Sequence, residues 1–145
     1  VDYGWCRLFL VAETSEQTDF SMLEAVTDLI AFGTAKFDAK GNIIFVDGQG
    51  NEVDEKYYSD KLDILKKNVG DKKINLICDI AMPYGDDNLD IKSMMNDENV
   101  DNLVSSIVNF VDKYGFDGYD MDYEFPHYRQ IRYENDSRRL HLAKA

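Results

Sequence analysis

The sequence predicts an α/β fold in which short apolar strands alternate with amphipathic helices. Near-continuous apolar runs of strand length recur at Cys6–Ala12, Asp28–Thr34 and Ile74–Met82, the pattern of strands in a parallel sheet covered on both faces. Between Val100 and Tyr114, the residues Val100, Leu103, Val104, Ile107, Val108 and Val111 recur at spacings of three and four, which line one side of a helix. Gly115 stops that helix, and a further strand-like stretch follows from Asp117.

Composition bounds the rest. A chain of 145 residues buries roughly 68–70% of its unfolded surface, enough for one core and not two. Hydrophobic residues make up 44%, as in soluble globular domains. A net charge of −12 argues against a nucleic-acid partner, because phosphate binding needs clustered Lys and Arg. No apolar run reaches the ~18 residues of a membrane span, and no basic stretch leads into an apolar one at Val1. Two cysteines, Cys6 and Cys78, are too few for a disulfide framework. On the first and third strands of one sheet, a whole strand would separate them, so both are expected to be buried thiols.

In chain order, Trp5 precedes the first strand, Cys6–Ala12, which is interrupted by Arg7. A polar stretch, Glu13–Asp19, leads to Phe20–Val26, long enough for one or two helical turns. The second strand spans Asp28–Thr34 with Leu29, Ile30, Ala31 and Phe32. Asp38-Ala39-Lys40-Gly41-Asn42 predicts a turn, and Ile43–Val46 before Asp47-Gly48 a small hairpin. Lys56–Asn68 predicts a surface helix with Tyr57 or Tyr58, Leu62 and Leu65 inward, closed near Gly70. Ile74–Met82 is the third strand, and Pro83–Asp90 an acidic loop. Asp86-Asp87-Asn88-Leu89-Asp90 superficially suggests calcium, but lacks the glycine and terminal glutamate of an EF-hand loop.

The fourth strand carries the chemistry. Asp120, Asp122 and Glu124 recur with a period of two, interleaved with Met121 and Tyr123. Side chains two apart share one face of an extended chain, so three carboxyls point one way at spacings of roughly 6–7 Å. Like charges on one face repel, and ionised carboxylates are poorly tolerated where water is scarce. A solvated acidic face is the plain alternative in so acidic a chain; on a covered parallel strand, however, a triple-acid face calls for a function.

The run Tyr114-Gly115-Phe116-Asp117-Gly118-Tyr119-Asp120-Met121-Asp122-Tyr123-Glu124-Phe125-Pro126 resembles the Asp-x-x-Asp-x-Asp-x-Glu signature of the family 18 glycoside hydrolases, which include chitinases, endo-β-N-acetylglucosaminidases and non-catalytic relatives. The stretch from Val26 to Gly33, with its Ala31-Phe32 pair, resembles the family's second strand less strongly. The resemblance implies a (β/α)₈ TIM barrel with catalytic groups at the C-terminal ends of its strands. Such barrels take roughly 250 residues, so residues 1–126 are expected to be the first four βα units, about half a barrel. Residues 127–145 form a basic segment bearing an Asn135-Asp136-Ser137 glycosylation sequon, where Ser137 is placed to cap a short helix. The third strand departs from the family, which usually has Ser-x-Gly-Gly where this chain has Ile77-Cys78-Asp79-Ile80-Ala81-Met82. Larger side chains in place of those glycines are expected to alter the pocket floor. Asp79 is either a fourth inward acid or a carboxylate bonded to a neighbouring loop.

By resemblance the mechanism is substrate-assisted, an exception to the usual carboxylate pair. Glu124 would protonate the leaving glycosidic oxygen, and Asp122 would orient the substrate's own 2-acetamido group, whose carbonyl is the nucleophile. Asp120 would share a proton across the ladder, keeping Glu124 protonated near neutrality. Asp117, on the other parity, would brace the strand end. Phe32 would lie beneath the sugar, or be plain core. No cofactor or metal is called for. The expected partners are chitin, chitooligosaccharides or the N-glycan core, met outside the cell, with neither nucleic acid nor membrane. Self-association through open barrel edges is a further expectation. Three functions stay open: a hydrolase, a chitinase-like lectin or regulator, and a bare structural fragment.

Overall fold

A computed structural model describes residues 6–38, 40–82 and 97–121. Four parallel strands form the main sheet: β1 (Cys6–Leu10), β2 (Asp28–Phe32), β6 (Asn75–Asp79) and β7 (Gly118–Asp120), in the order β1-β2-β6-β7. Between β2 and β6 the chain makes a three-stranded antiparallel sheet of β3 (Ala35–Phe37), β4 (Ile43–Val46) and β5 (Glu52–Val53). Helix α1 (Glu55–Val69) then crosses back to β6, and helix α2 (Asp97–Tyr114) leads to β7. The first connection differs from the expected βα units. It contains only two short 3₁₀ turns, Val11–Glu13 and Ser21–Ala25, because the polar Glu13–Asp19 stretch offers no apolar stripe to dock an α-helix.

Pairing is in register across the sheet. Leu29 lies beside Arg7 and Leu76, Ala31 beside Phe9 and Cys78, and Tyr119 beside Cys78. Neighbours in register project to the same side. On that side Leu29, Ala31, Leu76 and Cys78 are buried against Tyr58, Leu62 and Leu65 of α1 and Leu103 and Phe110 of α2. The other side carries Leu8, Ile30, Phe32, Ile77, Asp79 and Asp120 by the same alternation. There Leu8 is 59% exposed, Ile30, Phe32, Ile77 and Asp120 are half-buried, and Asp79 is buried, so among the described residues this face is covered less completely than the apolar runs predict.

Helix α1 begins where the Asp54 side chain accepts the Tyr57 N–H at 2.9 Å. It ends at Gly70, whose positive φ of 52° and N–H bond to the Lys66 carbonyl close the last turn. An aromatic cluster fastens the antiparallel strands to both helices: Phe45 lies 4.9 Å from Tyr58, Tyr58 5.5 Å from Phe110, and Phe110 4.7 Å from Tyr114. Phe110, rather than Val108, therefore faces the core of α2; Val108 is exposed. Lys113 pairs with Glu55 across the two helices.

Two turns in the antiparallel sheet share one design. The Asp38 carboxylate accepts the N–H groups of Lys40 and Asn42, and Asp47 does the same for Gln49 and Asn51. These bonds hold both carboxyls below their ordinary titration range, although the partial burial of Asp38 opposes the shift. Each turn needs a glycine at positive φ, Gly41 at 80° and Gly50 at 85°. Gly41 is also pressed against α2, where an added Cβ would lie 3.2 Å from the Leu103 backbone. Gly50 faces open space. Gly41→Ala should therefore cost about 1–3 kcal/mol from the backbone conformation alone, and more than Gly50→Ala because of that contact; urea unfolding of the two variants compares them directly.

Candidate functional site

The C-terminal ends of parallel strands are where α/β folds place their sites, and three sequence-derived candidates arrive there together. Phe32 ends β2, Asp79 ends β6 and Asp120 ends β7. Asp79 and Asp120 are direct register partners. Phe32 follows Ala31, the partner of Cys78, and so shares their face of the sheet. Asp122 and Glu124 lie outside the described residues, as do the Asp86–Asp90 run, the Asn135 sequon and residues 127–145.

Asp117 sits where the chain enters β7. Its backbone N–H donates to the Leu76 carbonyl at 2.8 Å, and its Oδ2 accepts the Leu76 N–H at 2.8 Å. This reciprocal pair ties the entry of β7 to β6. Phe116, immediately before it, is buried and stacks on Phe110 at 5.9 Å. The start of the acidic strand is thus fixed by hydrogen bonding on one side and aromatic packing on the other.

Asp79 is 4% exposed and belongs to the face of the sheet that carries Asp120. The substitution of Ser-x-Gly-Gly has a different effect from the one expected. Ile80 and Met82, the bulky residues, are fully buried in the core. On the site face stand Asp79 and the small Ala81, the latter bridged to Lys36 of β3. The third strand changes the polarity of this face rather than filling it.

Phe32 is half-buried and lines a cavity of about 730 Å³ with Arg7, Leu8, Leu10, Glu13 and Met22. The cavity runs along β1 and the two 3₁₀ turns; Asp79 and Asp120 are not among its lining residues.

Behind the acids, on the helix side, lies a neutral layer. The Cys78 thiol donates to the Gly118 carbonyl at 3.5 Å, and burial pushes its pKa up to about 12, with the nearby Asp79 and Asp120 adding to the shift. Burial likewise raises the Tyr119 hydroxyl, helped by Asp79, and the Tyr58 hydroxyl, where desolvation again dominates. Cys6, expected to be buried, is exposed, with β1 at one end of the sheet among the described strands. The intervening β2 keeps the two thiols apart, and both are free.

No family model matches the sequence. Solved structures do match the fold. A chitinase from Bacteroides thetaiotaomicron superposes with a TM-score of 0.63 at 15% identity, covering 97% of this chain and 40% of that one. The Class V chitinase of Nicotiana tobaccum gives 0.64 at 13% identity, covering 99% and 37%, and a mutant of it is solved in complex with NAG4. An immunomodulatory active chitinase from Trichuris suis gives 0.62 at 14% identity, covering 86% and 33%. The chain has a chitinase-like fold and spans a third to two-fifths of the length of these structures.

The neutral layer sets the alkaline stability of the fold. Cys78 stays protonated in the folded chain to about 12, whereas the unfolded thiol ionises near the ordinary thiol value of 9.0. Above that lower value the unfolded state holds fewer protons, so stability must fall as pH rises between about 9 and 12; the raised Tyr58 and Tyr119 act in the same direction. Urea midpoints measured across this range should decline. Thiol labelling at about pH 8 should modify Cys6 in the folded chain and Cys78 only after denaturant is added.

Proposed function

We propose that this chain carries part of the catalytic centre of a family 18, chitinase-type glycoside hydrolase with a (β/α)₈ barrel, acting on β-1,4-linked N-acetylglucosamine. The observation that carries the reading is the complete Asp117-x-x-Asp120-x-Asp122-x-Glu124 run, which begins on a strand at the C-terminal edge of a parallel sheet whose fold is chitinase-like.

In this mechanism Glu124 gives its proton to the leaving glycosidic oxygen. The carbonyl oxygen of the substrate's 2-acetamido group attacks the anomeric carbon as that bond breaks, forming an oxazolinium ion. Asp122 accepts a hydrogen bond from the acetamido N–H, orienting it and balancing its developing positive charge. Water, deprotonated by Glu124 in the second half-reaction, opens the ion with net retention. Asp120 supports Asp122 by sharing a proton, and Phe32 offers an apolar surface beside the sugar. The substrate must carry an N-acetyl group at C2, as in chitin, chitooligosaccharides and the N-glycan core, and the protein would meet it outside the cell. A second copy paired along the β1 or β7 edge would extend the sheet.

A second reading, a chitinase-like protein that binds such sugars without cleaving them, is favoured by the buried Asp79 where the family has Ser-x-Gly-Gly. Release of fluorophore from a chitobiose glycoside separates the two. The hydrolase reading expects release by the wild-type chain and at least a ~100-fold loss in Glu124→Gln, with sugar binding retained. Binding without Glu124-dependent release would select the second.

A further inference from the structure

Among the described residues three lysines are half-buried: Lys36, Lys61 and Lys66. Two of them are held at their charged ends. The Lys61 ammonium donates to the Thr14 carbonyl and lies over the Tyr57 ring, and that of Lys66 donates to the Tyr114 carbonyl and lies over Phe116. Lys36 has no hydrogen bond, ion pair or aromatic ring at its ammonium among the described residues. A lysine that gives up water without gaining a partner in the fold is uncommon.

Register fixes the side to which Lys36 projects. Strand β3 pairs Ala35 with Phe45 and Phe37 with Ile43, and these four residues pack into the helix-side core. Lys36 and its partner Ile44 therefore point the other way. A parallel bridge sets Lys36 beside Ala81, held by the Phe37 N–H on the Ala81 carbonyl and the Ala81 N–H on the Ala35 carbonyl, both at 3.0 Å. Ala81 follows Asp79 by two residues, so Lys36 stands on the face of Phe32, Asp79 and Asp120, at the C-terminal ends of the strands. Arg7 alternates to the helix side, in register with Leu29, and the remaining described lysines lie on helices and turns. Among the described residues Lys36 is thus the one cation on the acidic face.

Ligand sites combine apolar surface with a few polar groups that fix orientation, and this face supplies both, with Phe32 and Lys36 on one stretch of chain. An ammonium carries three donors and no acceptor, so whatever it meets must offer an oxygen. We propose that Lys36 is a substrate-binding residue that sets specificity, its ammonium donating to a hydroxyl or acetamido oxygen of an N-acetylated sugar bound at the strand ends. The assignment rests on the reading of those ends as a sugar site. A sugar that has lost its acetyl group presents an ammonium instead, which only donates and carries the same charge. The acids of this face attract such a sugar, and Lys36 repels it. Lys36 thereby extends the demand for acetylation beyond the sugar that is cleaved.

Calorimetric titration of the full chain with the tetramers of N-acetylglucosamine and of protonated glucosamine tests this role. Lys36→Met keeps the length and apolar stem of the side chain and removes its charge. It should weaken binding of the acetylated tetramer about tenfold and strengthen binding of the glucosamine tetramer, whereas Lys36→Arg should keep the wild-type preference. Unchanged affinities in Lys36→Met overturn the proposal. An equal loss for both tetramers overturns it too, since a lysine whose stem only covers apolar surface acts on both alike. The two readings fail separately. Glu124-dependent release from the chitobiose glycoside, with tetramer binding indifferent to Lys36→Met, removes the role of Lys36 and leaves the hydrolase standing. Lys36-dependent binding without release overturns the hydrolase reading alone, and a chain that binds neither tetramer overturns both.

Discussion

The in-register pairing of β2, β6 and β7 is the constraint on which the other features depend. Because side chains alternate with a period of two, one choice of register sends Leu29, Ala31, Leu76 and Cys78 into the helices and leaves Phe32, Asp79 and Asp120 together on the opposite side. A slip of one residue would turn the acids toward the helices and the apolar side chains away from them. Several contacts prevent it: the reciprocal bonds between Asp117 and Leu76, the stacking of Phe116 on Phe110, and the closing of β3 onto β6, where Phe37 donates to the Ala81 carbonyl and Ala81 to that of Ala35.

The same register puts unlike environments back to back. On the helix side burial holds Cys78, Tyr119 and Tyr58 in their neutral forms. On the other side acids gather at the strand ends. A strand only one side chain thick separates them, so the negative groups raise the cost of ionising the thiol and phenols behind. The helix face accordingly contributes fold stability, and the carboxyls are kept on the other side of the sheet.

Much of this was legible in the sequence. The two helices declared themselves by periodic apolar residues, and the acidic ladder by an alternation that few structural needs explain. What was not legible depended on neighbours in space. Cys6–Ala12 has the composition of a buried central strand, yet β1 lies at one end of the sheet among the described strands, with Leu8 and Cys6 exposed, because strand order is not written in any one strand. The three-residue β3 is too short to have a period. Phe110 escaped the expected stripe, since its partners Phe45 and Tyr58 come from elements distant in sequence. The face chosen by Asp79 was open until the pairing of β6 with β7 decided it.

The connection from β1 to β2 has a consequence for motion. Strands β6 and β7 are joined to their predecessors in the main sheet through packed α-helices, whereas β1 leads on only through two 3₁₀ turns and, like β7, pairs with one neighbour among the described strands. Local opening follows the number of buried contacts that must break, so this strand is the natural point for the sheet to breathe. The cavity beside Phe32 is walled by that strand, while Asp79 and Asp120 stand on strands braced by both helices. A chain built this way pairs a stiff acidic wall with a yielding apolar one, so that opening of β1 reshapes the cavity beside Phe32 while Asp79 and Asp120 stay in place.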